Sequence, residues 1–169
     1  MEFIAIENHV LSLVCLKRED YDALFEVASN KEIWAQHPHS DRYLPTGFQA
    51  YFDSLLRCDI AYLVVNKNTR DIIGATGYYN FDKDKKTITI GYTFLTPAYW
   101  GTGMNASLKS LMINHAFQYV DAIIFHAGAQ NFRSQKAIQK LGAIKTGETQ
   151  NQTNPPTSNF EYTLLKTKI

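Results

Sequence analysis

Between residues 96 and 105 the chain reads Thr96-Pro97-Ala98-Tyr99-Trp100-Gly101-Thr102-Gly103-Met104-Asn105, and this junction holds the residue types best suited to gripping an anion. Two glycines one residue apart let a backbone turn tightly and come close to a ligand. Apolar residues at helical spacing follow, so the glycines open a helix. The free N–H groups of a helix's first turn, with its dipole, favour a phosphate or pyrophosphate. A lone Gly-x-Gly is equally compatible with a plain strand-to-helix turn. A dinucleotide-binding fingerprint needs a third glycine at Ala106 or nearby and an early place in a βαβ chain, and both are missing. A P-loop is excluded, because no Gly-Lys-Ser/Thr follows.

Other reactive side chains form weaker patterns. His37-Pro38-His39 offers two imidazoles, but no Cys, Asp or Glu completes a ligand set at useful spacing, so no metal is expected. Cys15 and Cys58 show no metal-ligand spacing, no disulfide framework and no histidine partner nearby in sequence, and read as buried core thiols.

These residues need a scaffold. Val10 to Leu16 reads as a first strand, and Lys17 to Asn30 as an amphipathic helix with Tyr21, Leu24, Phe25 and Ala28 on one face. Trp34 to Thr46, with Pro38 and Pro45, breaks regular structure, and Gly47 to Arg57 predicts a second helix. Strands are predicted at Ile60 to Asn66 and Asp71 to Tyr79, joined by Lys67-Asn68-Thr69-Arg70, with a charged turn at Asp82 to Lys86. Thr87 to Thr96 alternates, with Ile88, Ile90, Tyr92 and Phe94 on one face and Thr87, Thr89, Gly91 and Thr93 on the other. From Gly103 a helix carries Met104, Leu108, Leu111, Met112, Ala116 and Tyr119 on its apolar face. Ala122 to Ala127 is a buried strand, and Ser134 to Leu141 a helix that Gly142 stops. Strand, helix, strand with a crossover of that length argues for two parallel neighbours. A polar loop containing Pro155 and Pro156 leads into a last strand near Phe160 to Leu165. The fold class is α+β with a mixed sheet.

The 169 residues suit a single domain with its own hydrophobic core. Seventeen Lys plus Arg oppose sixteen Asp plus Glu, so no general attraction to nucleic acid or to an anionic membrane is expected, and any bound anion needs a local site. Glu2, Glu7 and Asn8 interrupt any apolar leader, and no apolar run approaches the roughly 20 residues of a membrane helix. The expected location is the cytoplasm.

The run Pro97 to Lys109, then Gln130-Asn131-Phe132-Arg133-Ser134, then Lys140-Leu141-Gly142-Ala143, resembles the GCN5-related N-acetyltransferase (GNAT) superfamily, most of all its RimJ/RimL-type ribosomal-protein N-terminal acetyltransferases. The resemblance spans nearly the whole chain. It implies a mostly antiparallel central sheet with two splayed parallel strands in its middle, flanked by helices, over residues 1–169 as one domain.

It further implies that acetyl-CoA is the co-substrate. The family's phosphate loop maps onto Trp100, Gly103 and Asn105, with Gly101, Thr102, Gly103, Met104, Asn105 and Ala106 supplying amides to the pyrophosphate. Phe94, Leu95 and Thr96 would pair through their backbone with the pantetheine arm, a backbone N–H in the splayed opening would polarise the thioester carbonyl, and Asn131 would contact the same arm. Ser134 is the candidate proton donor or hydrogen-bonding partner of the departing sulfur, although its hydroxyl is equally placed to cap the helix beside Asn131. Lys109, Arg133, Lys136 and Lys140 are cations that either reach the coenzyme's outer phosphate or simply face solvent, with Lys136 preferred. The reaction implied is direct attack of an uncharged amine on the thioester, without an acyl-enzyme.

The chain departs from the family pattern at four positions. Trp100 replaces Gln/Arg, Asn105 stands where Gly or Ala is usual, and the frequent glutamates are absent from Thr87-Ile88-Thr89 and from Ser107. Proton removal is left to ordered water, Tyr78, His126 or Glu161. The segment Ile33 to Tyr51 would wall the acceptor side, its aromatics Trp34, Tyr43, Phe48 and Tyr51 serving that wall or the core. The acceptor expected is a protein N-terminal amine, with a small amine (polyamine, amino acid or antibiotic) as the alternative. A coenzyme A-binding module without turnover is the reading outside catalysis, and a monomer and a homodimer are equally compatible.

Overall fold

One strand organises the molecule. Its β-branched and aromatic residues make Thr87–Leu95 a strand (β5), paired antiparallel to Ile72–Asp82 (β4) on one side and parallel to Ala122–Gly128 (β6) on the other. The structure, a computed structural model, describes residue 1 and residues 4–151 and 157–167. Among them, Ile6–Glu7 (β1), Leu11–Cys15 (β2), Ile60–Asn66 (β3), Ile144–Asn151 (β7) and Thr157–Leu165 (β8) complete a sheet in the order β1-β2-β3-β4-β5-β6-β8-β7. Every pairing except β5–β6 is antiparallel. The helices are Tyr21–Ala28 (α1), Lys31–Trp34 (α2), Pro45–Leu56 (α3), Met104–Ala116 (α4) and Phe132–Lys140 (α5). The crossover between the parallel strands runs through α4, the long connection that parallel neighbours require.

Helix ends follow local chemistry. Pro45 opens α3, where its missing N–H costs nothing. Asn30 caps α2 by accepting from the Glu32 amide, and Asn131 caps α5 by accepting from that of Ser134. Gly142, at φ 86°, ends α5 as predicted. Boundaries shift where tertiary contacts decide. A 3-10 turn at Arg18–Asp20 precedes α1, and α3 begins two residues before Gly47. The sequence reading missed β1, too short to show alternation, and β7, whose Lys145, Thr146 and Glu148 leave it polar. Pro155 and Pro156 lie outside the described residues.

Each face of the sheet carries a core. On one, α4 and α5 cover Leu13, Tyr62, Tyr78, Ile88, Ile90, Ile123 and Phe125; on the other, α1, α2 and α3 bury Leu24, Trp34, Phe48 and Tyr51 against Ala75 and Phe94. The assignment of Ile88, Ile90, Tyr92 and Phe94 to a single face needs correction. Ile88 and Ile90 pack under α4, whereas Tyr92 and Phe94 pack under α3. Tyr92 sits at φ 53°, and a bulge there reverses the alternation.

The α4 core also contains an unexpected cation. Lys109, read from sequence as solvated or phosphate-reaching, is only 8% exposed, and its Nζ donates to Thr93 Oγ1 at 2.7 Å. Burial lowers its pKa from 10.5 to about 7. An amine with a folded pKa below its unfolded one binds fewer protons folded than unfolded, so its cost to stability is full below pH 7 and fades towards pH 10.5. Between pH 7 and pH 9 the protein should gain about 2 kcal/mol of stability relative to Lys109→Met, read from urea midpoints of both proteins at each pH. Identical pH responses would refute a neutral buried amine.

Candidate active site

Strands β5 and β6 pair only over Thr87–Thr89 and Ala122–Ile124. Beyond that β5 stays with β4 as far as Leu95 and β6 with β8 as far as Gly128, so the two inner strands part and leave open backbone edges. The β5 bulge lies along this opening. Tyr92 and Thr93 together oppose Thr76, since Gly91 pairs with Gly77 and Phe94 with Ala75. The bulge is held from both sides of the sheet. The Tyr51 hydroxyl of α3 donates to the Tyr92 carbonyl at 2.5 Å. Opposite, Thr93 Oγ1 bonds to Thr76 Oγ1 at 2.7 Å and accepts from Lys109.

At the end of β5 the chain turns into α4. Trp100 Nε1 donates to the Leu95 carbonyl at 2.8 Å, and Thr102 Oγ1 to the Tyr99 carbonyl at 2.8 Å, which fixes the turn on the strand it leaves. Gly101 and Gly103 have φ of 74° and 85°, in the left-handed region that favours glycine. A Cβ on either would meet nothing within 4 Å, so their surroundings are open. No side chain caps α4, whose first backbone bond runs from Ser107 N–H to Gly103 O at 3.0 Å. The Met104, Asn105 and Ala106 amides therefore precede the helical ladder and are free for an anion. A shallow groove lined by His9, Val10, Thr102, Gly103, Met104 and Ser107 adjoins them.

The remaining coenzyme candidates divide. Phe94 and Leu95 bury their side chains in opposite cores and can offer only backbone. Thr96 already donates its N–H to Ile73 and accepts at its carbonyl from Tyr99, so the open edge is better supplied by the residues before it. Asn131 uses Oδ1 as the α5 cap, 3.1 Å from the Ser134 amide, so capping belongs to Asn131. The Ser134 hydroxyl makes no hydrogen bond among the described residues. Gln135 holds the end of β6 through the Gly128 and Ala129 carbonyls, both at 2.9 Å. Lys136 is exposed on α5 and joins none of these contacts. Arg133 does: its guanidinium stacks 4.0 Å from the Trp100 ring and donates to the Ile33 carbonyl at 3.0 Å, tying α5 to the glycine turn and to α2.

On the α3 face of the gap lies a chain of hydrogen-bonded polar side chains, of which the sequence reading named His126 and Glu161. Glu161 is the cross-strand partner of His126, and their Oε2 and Nε2 atoms are 3.4 Å apart. The Tyr79 hydroxyl is 3.0 Å from His126 Nδ1. An ionised Glu161 only accepts, so Nε2 carries the imidazole proton and Nδ1 accepts from Tyr79. Thr146 Oγ1 holds the other Glu161 oxygen at 3.3 Å. Tyr79 reaches β6 by passing over Gly91, where a Cβ would lie 2.8 Å from its ring. Only the glycine admits that path. Tyr78, the tyrosine expected from sequence as a candidate for proton removal, has no part in this chain of contacts, and Tyr79 takes the place beside His126. Tyr78 is fully buried on the α4 face, donates to the Met112 carbonyl at 2.6 Å, and is held protonated by desolvation.

The α2–α3 segment borders this face. Pro38 packs on Gly128 at the end of β6, Trp34 contacts Tyr51 and Phe94, and Arg42 stacks on Trp34 and Tyr51. Its aromatics thus serve wall and core together. Among the described residues no group of three metal-ligating side chains forms, and no helix is long and apolar enough to cross a membrane. Cys15 and Cys58 are free and partly buried, and burial pushes the Cys58 thiol up to about 12, far from a reactive thiolate.

Comparison with known proteins agrees with this architecture. A GCN5-related N-acetyltransferase from Brucella melitensis superposes with a TM-score of 0.84 at 15% identity, over 98% of this chain and 80% of that one. The ribosomal-protein-S5-alanine acetyltransferase of Vibrio fischeri does so with 0.69 at 20% identity, over 96% and 97%. The spermidine N-acetyltransferase of Vibrio cholerae, solved with CoA and spermine, gives 0.70 at 14% identity, over 94% and 96%. At these identities the likeness establishes the fold. No curated protein sequence matches the chain. The family model "Acetyltransferase (GNAT) domain" matches residues 11–144. With parting parallel strands and an uncapped, glycine-opened helix beside them, the chain belongs to the GNAT acetyltransferase family.

Proposed function

We propose that this acetyltransferase moves the acetyl group of acetyl-CoA directly onto a primary amine, and that the amine is the terminus of a protein or peptide, as in the RimJ/RimL branch. The observation that carries the transfer is the gap between β5 and β6 running up to the free amides of α4. The amides from Gly101 to Ala106 take the pyrophosphate, and the open edge of β5 runs beside the pantetheine arm. Asn131 and Ser134 stand at the end of β6, where the arm would finish. The acceptor enters from the α3 face, where His126 and Glu161 remain about one-third exposed at 34% and 37%, a site accessible to a chain end.

The protein's own groups then divide the reaction. Holding amine and thioester together supplies much of the rate. The amine nitrogen forms a bond to the acyl carbon and the carbon–sulfur bond breaks. The amine's proton passes to the Tyr79 oxygen as Tyr79 hands its own to His126 Nδ1, and Glu161 stabilises the imidazolium. The departing thiolate takes a proton from the Ser134 hydroxyl as that hydroxyl takes one from water, and the imidazolium returns the amine's proton to water afterwards. A small amine is the alternative acceptor, as for the spermidine N-acetyltransferase of Vibrio cholerae.

Gly103→Val should weaken acetyl-CoA binding at least tenfold in titration calorimetry, because a β-branched side chain resists φ 85° and covers the amides. An unaltered affinity would remove the pyrophosphate site from this turn. Tyr79→Phe and His126→Gln should each lower kcat for amine-dependent thiol release by about 100-fold, with acetyl-CoA affinity changed less than about twofold. Full turnover in both variants would rule out the tyrosine–histidine path.

A further inference from the structure

Arg42 lies half-buried between α2 and α3 and forms no salt bridge among the described residues, the neighbouring Asp41 carboxylate acting on its charge from farther away. Its guanidinium rests on the Tyr51 ring at 4.8 Å and the Trp34 ring at 5.4 Å. Stacking engages the face of the guanidinium and leaves its N–H edge for in-plane bonds. That edge meets only His37, with Nη1 3.2 Å from Nε2; among the described residues no carboxylate lies within ion-pairing distance.

His37 does not satisfy it. Its Nδ1 already accepts the His39 backbone N–H at 2.9 Å. Burial foremost, then the charges of Arg42 and His39, push its pKa down to about 3, so the ring is neutral. A neutral imidazole accepts at one nitrogen and donates at the other, so the proton sits on Nε2, facing Arg42. A guanidinium cannot accept. Two donors therefore converge 3.2 Å apart with nothing to receive them, an arrangement that favours one oxygen anion in front of both.

The place is as informative as the pair. Pro38 lies against Gly128 on the face and strand that carry His126, and Tyr51, beneath Arg42, holds the Tyr92 carbonyl at the bulge. The two donors thus border the α3 face of the gap. We infer that His37 Nε2–H and the Arg42 guanidinium form a carboxylate site, so the acetylated amine belongs to a molecule that also carries a carboxylate. That chemistry has two sources, a free amino acid and a peptide terminus with an acidic side chain. A polyamine, purely cationic, meets repulsion from Arg42 instead.

The inference rests on the acetyltransferase reading, and the experiment separates the two. Matched acceptors differing in one carboxylate (an L-amino acid and its α-carboxamide; tripeptides beginning Ala-Glu and Ala-Gln) are compared by kcat/KM for thiol release from acetyl-CoA. The wild-type protein should favour the carboxylate member of at least one pair by about 30-fold, and the pair that responds identifies the source. Arg42→Gln should bring that ratio to within about threefold of unity, and Arg42→Lys, which keeps the charge without the fork, should fall between. Acetyl-CoA affinity reports whether each variant is folded. If Arg42→Gln is not, His37→Phe, which keeps a ring beside Trp34 and removes the Nε2 donor, should lower the ratio several-fold. Equal use of both members, or a preference that survives Arg42→Gln, would overturn the carboxylate site. Should no amine release thiol, the transfer reading fails instead. Calorimetric titration of the same pairs then decides the site, with a tenfold tighter carboxylate that Arg42→Gln abolishes in its favour and equal binding against it.

Discussion

The bond from the Tyr51 hydroxyl to the Tyr92 carbonyl marks the constraint on which the rest of the structure depends. A parallel pair continues for as long as both strands present matching edges. Here β5 carries one extra residue, with Tyr92 in the left-handed region, and its pairing to β6 ends at Thr89. A tyrosine at φ 53° is strained and persists only when its surroundings determine it. Three elements do so: α3 through Tyr51, β4 through Thr76 and α4 through Lys109. Each meets the bulge from within a core, so parting of the strands is tied to the packing of both faces.

From this opening the two ends of the site acquire different chemistry. The α4 end is made of backbone. Its glycines, its uncapped amides and the edge of β5 present donors whose positions the fold sets without cost in charge, consistent with a chain of nearly equal acidic and basic content. The α3 end is made of side chains from four separated segments, namely His37 and Arg42, Tyr79, His126, and Glu161. Backbone suits a co-substrate common to a whole family. Side chains suit an acceptor that differs between its members, since they change without disturbing the sheet.

The same division explains what could be read beforehand. The glycine turn, the helix it opens, the parallel crossover and the Gly142 stop are local in sequence, and each was legible with its physical reason. The bulge was not. Ile88, Ile90, Tyr92 and Phe94 look like one face because alternation in the sequence continues through Tyr92 while the backbone reverses there. Charge argues for an exposed Lys109, turned to solvent or to the coenzyme's outer phosphate, and only the nearby Thr93 hydroxyl reveals its use inside. His126 and Glu161 were separate candidates for proton removal. Their register across β6 and β8, and the passage of Tyr79 over Gly91, belong to the sheet and to no stretch of sequence.

Lys109 also shows why a polar group is retained at this depth. A leucine there would pack against Phe125 without desolvation cost, yet Thr93 would lose one of its two side-chain partners beneath the bulge. A neutral amine needs no counter-ion and has both N–H groups and a lone pair to exchange with a hydroxyl, so the burial that lowers its pKa to about 7 also lets it stay bonded to Thr93. Charged, the same amine would seek water or a carboxylate, and among the described residues no carboxylate lies within ion-pairing reach of it. Protonation therefore adds a desolvation cost on the α4 side of the bulge that the Tyr51 side does not carry. The opening rests on one tether that is indifferent to pH near neutrality and one that is sensitive to it.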